Sequence, residues 1–384
     1  MDQGMTSGEL IALVRRVFQA GPEDRGLAVL IDLPDAQVPD RPHWRDRREM
    51  AAQWATMLSE ARAELGFDTH LVMYPNVHTN NGDLPGQAWI HEGGPLPERA
   101  EDLDPAGARP FEAIYTDHSI LIALTTFSAT APLKMAARTR PMRAATMPGF
   151  RPDMLASLRL DYGEVNRRVE VLKALLDRAE GADFRFIHPQ GEDRLHLDLR
   201  HRTAHASGGL IPANGIAGNL PSGEAYIVPY EGERPGDPSR SAGLLPVEFR
   251  GEVVRYRIEG NVAREVLPGG PEAAREAALL AAEPAYGNLA ELGLGVLAAF
   301  GVKPVGEVLL DEKLGLHIAF GRSEHFGGQV GPSAFSRPEA VVHIDRVYVP
   351  ETQPQVKVAE VTLTLEGGAP FPLMRDGEYA EGLF

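Results

Sequence analysis

The chain contains no cysteine. Disulfides, thiolate zinc sites, iron–sulfur clusters and cysteine nucleophiles are therefore excluded, and any metal must be held by oxygen and imidazole. The sequence also lacks any run approaching the ~20 apolar residues that cross a bilayer. Its N-terminal stretch, MDQGMTSGELIALVRRVFQAG, has an acid at residue 2 and no long apolar core. The expectation is a cytoplasmic protein without a signal peptide. Basic charge is scarce as well: 38 Lys and Arg stand against 54 Asp and Glu, a net charge of −16. Binding to nucleic acid needs a basic face that displaces counterions, and anionic membranes ask for the same. Neither is expected as a partner, and the acidity reads as solubility.

The 384 residues, 43% of them hydrophobic, leave room for two domains. In the first half, Thr6 or Ser7 can cap a helix with Leu10, Leu13, Val14 and Val17 on one face. The runs LAVLIDLP (27–34), THLVMYP (69–75) and SILIALT (119–125) read as buried strands. Helical patterns fall at 43–65 and 162–179, the latter with Val165, Val169, Leu172, Leu175 and Leu176 aligned. Strands alternating with helices predict an α/β domain with a largely parallel sheet over 1–182. From 183 to 384 the pattern changes to short segments of period-two alternation, with one main helix near 271–283. That predicts an α+β domain.

Residues with ligand chemistry gather in the second half. His343 and Asp345, two apart in a strand, share a face, so they can reach one ion or pair with each other. His317 opens an apolar strand, where it can also be a core histidine bonded to a carbonyl. Glu224 follows a Pro-Ser-Gly turn, at a strand mouth or on a solvated turn. Glu291 lies among Leu289, Ala290, Leu292 and Leu294, and a buried charge needs a partner. Three carboxylates and two imidazoles suit zinc, manganese, cobalt or iron(II). Two ions can share the set if one carboxylate bridges.

At these residues the sequence resembles the aminopeptidase T family of metallo-aminopeptidases, also called thermophilic leucyl aminopeptidases. The matching stretches are NLPSGEAY around Glu224, AELGLG around Glu291, DEKLGLHIAFG with Glu312 and His317, and HID with His343 and Asp345. ATMPGF (145–150) and the Asp161-Tyr162 pair are similar too. The likeness covers the C-terminal half well and the N-terminal half loosely. It implies a dimeric two-domain exopeptidase with two divalent ions, zinc, cobalt or manganese, acting on a small peptide or amide. Glu224, Glu291, His317, His343 and Asp345 would be the ligands, and Glu312 the general base. One departure stands out: the family usually has a tyrosine soon after the H-x-A-x-G block, and this chain reads GRSEHFGG there, with His325 a possible substitute.

Two alternatives stay open at this stage. The 2,5-dihydroxypyridine 5,6-dioxygenases resemble the same family and use one iron(II) to open an aromatic ring. They look like two-histidine, one-carboxylate sites with histidine where this chain has Glu291, so Glu291 favours the hydrolase. A non-enzymatic metal-binding scaffold is the third reading, and the joint presence of all five ligand residues with Glu312 counts against it. From charge alone, no micromolar, salt-sensitive complex with DNA or RNA is expected at physiological salt, which a filter-binding titration checks.

Overall fold

The structure, a computed structural model, describes residues 4–384. They divide into two compact units: residues up to Asn166 together with Gly209–Ser222, and Arg167–Gly208 together with Gly223–Phe384.

The first unit is the expected α/β layer. Helix α1 (Ser7–Phe18) begins at Thr6, whose side chain accepts the Glu9 N–H while Glu9 accepts the Thr6 N–H. That reciprocal cap fixes its first turn. Strand β1 (Gly26–Leu33) is buried along its whole length. Helix α2 (Pro42–Glu60) follows, and a separate turn α3 (Arg62–Leu65) ends at Gly66 with φ +89°. The single helix expected over 43–65 is therefore broken at Ala61. Next come β2 (Asp68–Pro75), β3 (Gln87–Ile90), β4 (Arg109–Pro110), α4 (Phe111–Asp117), β5 (Ile120–Ala123), α5 (Thr130–Thr139), β6 (Arg143–Thr146) and α6 (Leu155–Leu158). The seventh strand of the sheet, Ala217–Asn219, arrives from far along the chain and pairs parallel to β6. Across the sheet the order is that strand, then β6, β5, β1, β2, β3 and β4. The pairings from the Ala217–Asn219 strand to β2 are parallel, and β3 and β4 are antiparallel additions.

Helix α7 (Tyr162–Leu176) carries the division between the units. Residue 182, where the sequence pattern suggested a boundary, lies in mid-strand in β7 (Ala179–His188). The helix and the strand after it belong to different regularities, but the strand pairs only within the second unit. A linear boundary also cannot register the return of 209–222, a short segment with no periodic signal of its own.

The second unit holds two antiparallel sheets. Its strands are β7, β8 (Gly191–Asp198), β9 (His205–Ser207), β11 (Glu224–Ile227), β12 (Ala242–Phe249), β13 (Glu252–Glu259), β14 (Val262–Val266) and β15 (Leu289–Gly295), then β16 (Leu316–Gly321), β17 (His343–Val347), β18 (Lys357–Leu365), β19 (Ala369–Arg375) and β20 (Glu378–Tyr379), with Ala217–Asn219 counted as β10. The larger sheet runs β14-β13-β12-β8-β7-β18-β19-β20 and the smaller β17-β16-β15-β11-β9. Helices α8 (Pro271–Ala282) and α9 (Val308–Asp311) interrupt them. Aromatic contacts join the two sheets: Phe320 of β16 lies 5.1 Å from Tyr256 of β13. Among the described residues no helix is long and apolar enough to cross a membrane.

One buried ion pair anchors the first unit. Arg143 reaches both carboxylate oxygens of Asp24, at 2.9 and 2.8 Å. Burial pushes the Asp24 carboxyl up, but the hydrogen bonds from Arg143 and Ser119 pull it below its usual value. Arg143→Met leaves that charge buried and unpaired, at an expected cost of about 3–5 kcal/mol. A lowered carboxyl stabilises above its unfolded pKa of about 4, and the contribution fades as pH falls through the folded value. Denaturant unfolding should therefore show the deficit at pH 7 and a smaller one in acid.

Candidate metal centre

One face of the smaller sheet collects the chemistry. In β15 the apolar residues Ala290, Leu292 and Leu294 alternate with Glu291, Gly293 and Gly295. The first set is buried in the core and the second faces the site. A bulge at the start of the strand sets this phase: Leu289 stands beside Phe320, whereas Glu291 stands beside Ala319. Phe320 and Ala319 point to opposite faces, so the extra residue moves the carboxylate out of the core and onto the site face. Asp345 pairs with the same Ala319, from β17. His317 pairs with Gly293, and Glu224 with Gly295.

The glycines are spatial requirements. A Cβ on Gly293 would lie 1.9 Å from His317 Nε2, so the imidazole occupies the volume a side chain would fill. A Cβ on Gly295 would lie 2.3 Å from the Lys313 carbonyl carbon, where the α9–β16 turn crosses the strand.

The five residues expected to bind metal converge. Glu224, Glu291 and His317 form one group of potential ligand atoms, all within 4.8 Å of one another; Glu291, His343 and Asp345 form a second. Glu291 belongs to both. Its Oε1 is 3.2 Å from His317 Nε2 and its Oε2 is 3.3 Å from His343 Nε2. Glu224 Oε2 lies 3.5 Å from His317 Nε2, and Asp345 Oδ1 lies 3.5 Å from His343 Nε2. Both of these carboxylate oxygens are buried without a hydrogen-bond partner.

Backbone carbonyls orient the two imidazoles. His317 Nδ1 donates to Gly315 O at 3.3 Å, and His343 Nδ1 donates to Arg322 O at 2.8 Å. With Nδ1 held by a carbonyl, Nε2 faces the carboxylates: it donates to them while the ring is charged and offers its lone pair once that proton leaves, as a metal-binding histidine does. Orphaned carboxylate oxygens, two Nε2 atoms facing them and an all-oxygen-and-nitrogen donor set together fit a divalent ion.

Protonation reflects the crowding. Burial opposes charge on His317, but Glu291, Glu224 and Asp345 outweigh it and its pKa is pushed up to about 9. His343 rises for the same reason, with Asp345 and Glu291 as its partners. Burial pushes Glu291 up, and the two imidazoles more than reverse this, to about 2.

Glu312 lies just after α9. It binds Lys313, whose side chain is buried, and is itself largely shielded from water. Burial, opposed by Lys313 and reinforced by Glu224, pushes the Glu312 carboxyl up to about 8. Lys313 also donates to Glu224 Oε1 at 2.5 Å. This lysine was absent from the sequence-derived site. Its signal was its place between Glu312 and the turn that leads to His317.

His325 sits in the loop after β16. Its ring lies 5.3 Å from that of His343 and 3.9 Å from that of Phe326. Tyr226, two residues after Glu224 and on the same face, was also not anticipated. It packs between His205 and Phe326, at 5.1 and 4.8 Å.

The arrangement of parallel α/β and antiparallel sheet layers in two units is a fold found among solved structures. The structure is similar to 2,5-dihydroxypyridine dioxygenase from Pseudomonas putida, with a TM-score of 0.60 over 98% of each chain at 14% identity. It is also similar to aminopeptidase T, AmpT, of Thermus thermophilus, with a TM-score of 0.53 over 97% of this chain and 98% of that one at 16% identity. No protein-family model matches the sequence, and no curated protein matches it. These neighbours carry the two names to which the sequence motifs pointed, and at such identities the likeness concerns the fold.

Gly293→Ala forces a methyl into the His317 ring. Overpacking of this kind costs about 1–3 kcal/mol. The variant is expected to fold with a lowered melting temperature and to lose metal retention, checked by thermal melting and elemental analysis.

Proposed function

We propose that the chain is a metal-dependent hydrolase of the aminopeptidase T type, releasing an N-terminal residue or cleaving a small amide. The observation that carries this reading is the Glu291 carboxylate, which turns one oxygen to each histidine and belongs to both donor groups. A carboxylate common to both donor groups could serve two neighbouring ions. Glu224 and His317 would complete one position, and His343 and Asp345 the other. Divalent ions bound there would supply Lewis acidity toward a carbonyl and make water more acidic.

The chain's own residues do the rest. Glu312 Oε1 is tied to Lys313, which leaves Oε2 as the atom to accept a proton from attacking water and return it to the leaving amine. Burial makes this carboxylate, in its ionised form, a stronger base than an ordinary glutamate. Phe326 and Tyr226 form an aromatic wall beside His343 and limit water on that side. A homodimer, a cytoplasmic setting, and the absence of nucleic-acid or membrane partners belong to the same reading.

The alternative is a mononuclear iron(II) ring-cleaving dioxygenase. The feature that favours it is the supply of two imidazoles on one carboxylate, His317 and His343 on Glu291, and the metal count separates the two. Elemental analysis should find two zinc-like ions per chain, lost on His343→Ala or Asp345→Ala with the fold intact. Glu312→Gln should keep both ions and lose about 10²–10⁴-fold in turnover of an aminoacyl amide. One iron, with cleavage of a dihydroxylated pyridine, would decide for the dioxygenase. Unchanged metal content in the His343 and Asp345 variants would leave those residues a structural role only.

A further inference from the structure

Lys313 is a buried cation beside the centre, and it touches the Glu224 group as well as Glu312. Its side chain is 1% exposed. A buried ammonium is costly without partners, and here it has two carboxylates, Glu224 and Glu312. The backbone delivers it there. Lys313 N–H donates to Leu310 O at the end of α9, and its carbonyl accepts the Leu297 N–H at 2.8 Å. The missing side chain of Gly295 lets this turn lie against β15. The position of the ammonium is therefore built into the fold.

Its effect on the two donor groups is unequal. In the group Glu224–Glu291–His317, one oxygen of Glu224 is already engaged by the ammonium, and only Oε2 is left without a hydrogen bond. In the group Glu291–His343–Asp345, no member forms a salt bridge with a lysine or arginine among the described residues. An ion entering the first group must share Glu224 with a positive charge, and like charges in a dry site repel strongly. An ion entering the second group meets no direct lysine contact: its carboxylates bond imidazoles, which can release their protons, and Lys313 acts on Asp345 only through space.

We propose that Lys313 is a resident cation of the Glu224 group and makes it the weaker of two ion positions, so that Glu291–His343–Asp345 fills first. This rests on the reading that both groups hold ions. Lys313 is then a positioning residue, which limits Glu224 to one available oxygen and sets the order of loading.

The test is calorimetric titration of the metal-free, full-length protein with zinc, against a competing chelator. Wild type should show two classes of site separated by roughly tenfold or more in affinity. Glu224→Gln should remove the weaker class and keep the tighter one. Lys313→Met, uncharged and similar in length, should tighten the weaker class by roughly tenfold and shift the other by clearly less. If Lys313→Met does not fold, as judged by its melting curve, Lys313→Gln serves the same comparison, since it keeps a donor toward Glu224 without the charge. Two equal classes in wild type, or a weaker class that loosens or stays put without the charge, would overturn the proposal while leaving the two-ion reading standing. No zinc bound by wild type would overturn both.

Discussion

Carboxylates crowded out of water on one face of a small sheet must be compensated, and the second unit is organised around that demand. Glu224, Glu291 and Glu312 are buried or nearly so, and Asp345 is half-buried beside them. Taking a charge out of water without a partner costs several kcal/mol. Two compensating species are visible: the imidazoles of His317 and His343, both shifted toward the charged form, and the ammonium of Lys313. The histidines can give way to ions by losing a proton. The lysine, held well into its charged form by Glu224 and Glu312 against the cost of burial, cannot. The centre thus combines exchangeable with fixed positive charge, and the fixed part lies at one end.

The sheet makes this crowding possible through what it omits. Glu224, Tyr226, Glu291, His317, His343 and Asp345 come from four adjacent strands, and a full complement of side chains between them would not fit. Gly293, Gly295 and Ala319 keep the floor low. The opposite face shows the reverse economy, with Leu292, Leu294, Ile318 and Phe320 fully buried. One set of strands therefore supplies both a conventional apolar core and a polar centre, separated by a single backbone layer.

Much of this was legible in sequence because period two speaks for itself. The alternation of Glu291, Gly293 and Gly295 with leucines, and the two-residue step from His343 to Asp345, both assign faces. The parallel layer of the first unit announced itself through long apolar runs such as 27–34. Shorter elements did not: β6 is only Arg143–Thr146, buried throughout yet without an apolar run. Convergence was beyond the sequence, since it depends on strand order β17-β16-β15-β11, which no local pattern encodes. The burial of Lys313 was hidden for a related reason. A lysine beside a glutamate in a turn looks solvated until the glycine that admits the turn is seen beneath it.

The loop after β16, where the family resemblance calls for a tyrosine, has its own logic. Glu231 fastens it: Ser323 Oγ donates to Glu231 Oε1 at 2.6 Å, and Asn288 Nδ2 donates to the same oxygen at 2.8 Å. Gly328 has room for no side chain, since a Cβ would meet Ser323 Oγ at 2.2 Å. The fastened loop lays Phe326 against Tyr226 and His343, and His205 Nε2 donates to the Phe326 carbonyl at 3.1 Å. His325 is thereby left next to His343 with its pKa held below the usual imidazole value, through burial and the neighbouring charge of His343. A neutral imidazole can donate one hydrogen bond but brings no positive charge to a developing oxyanion. The hydroxyl of Tyr226, which burial and the nearby carboxylates keep protonated, is the other donor on this face. Loss of the usual tyrosine therefore does not empty the site of neutral donors: it leaves a histidine on a pinned loop and a phenol on the sheet itself.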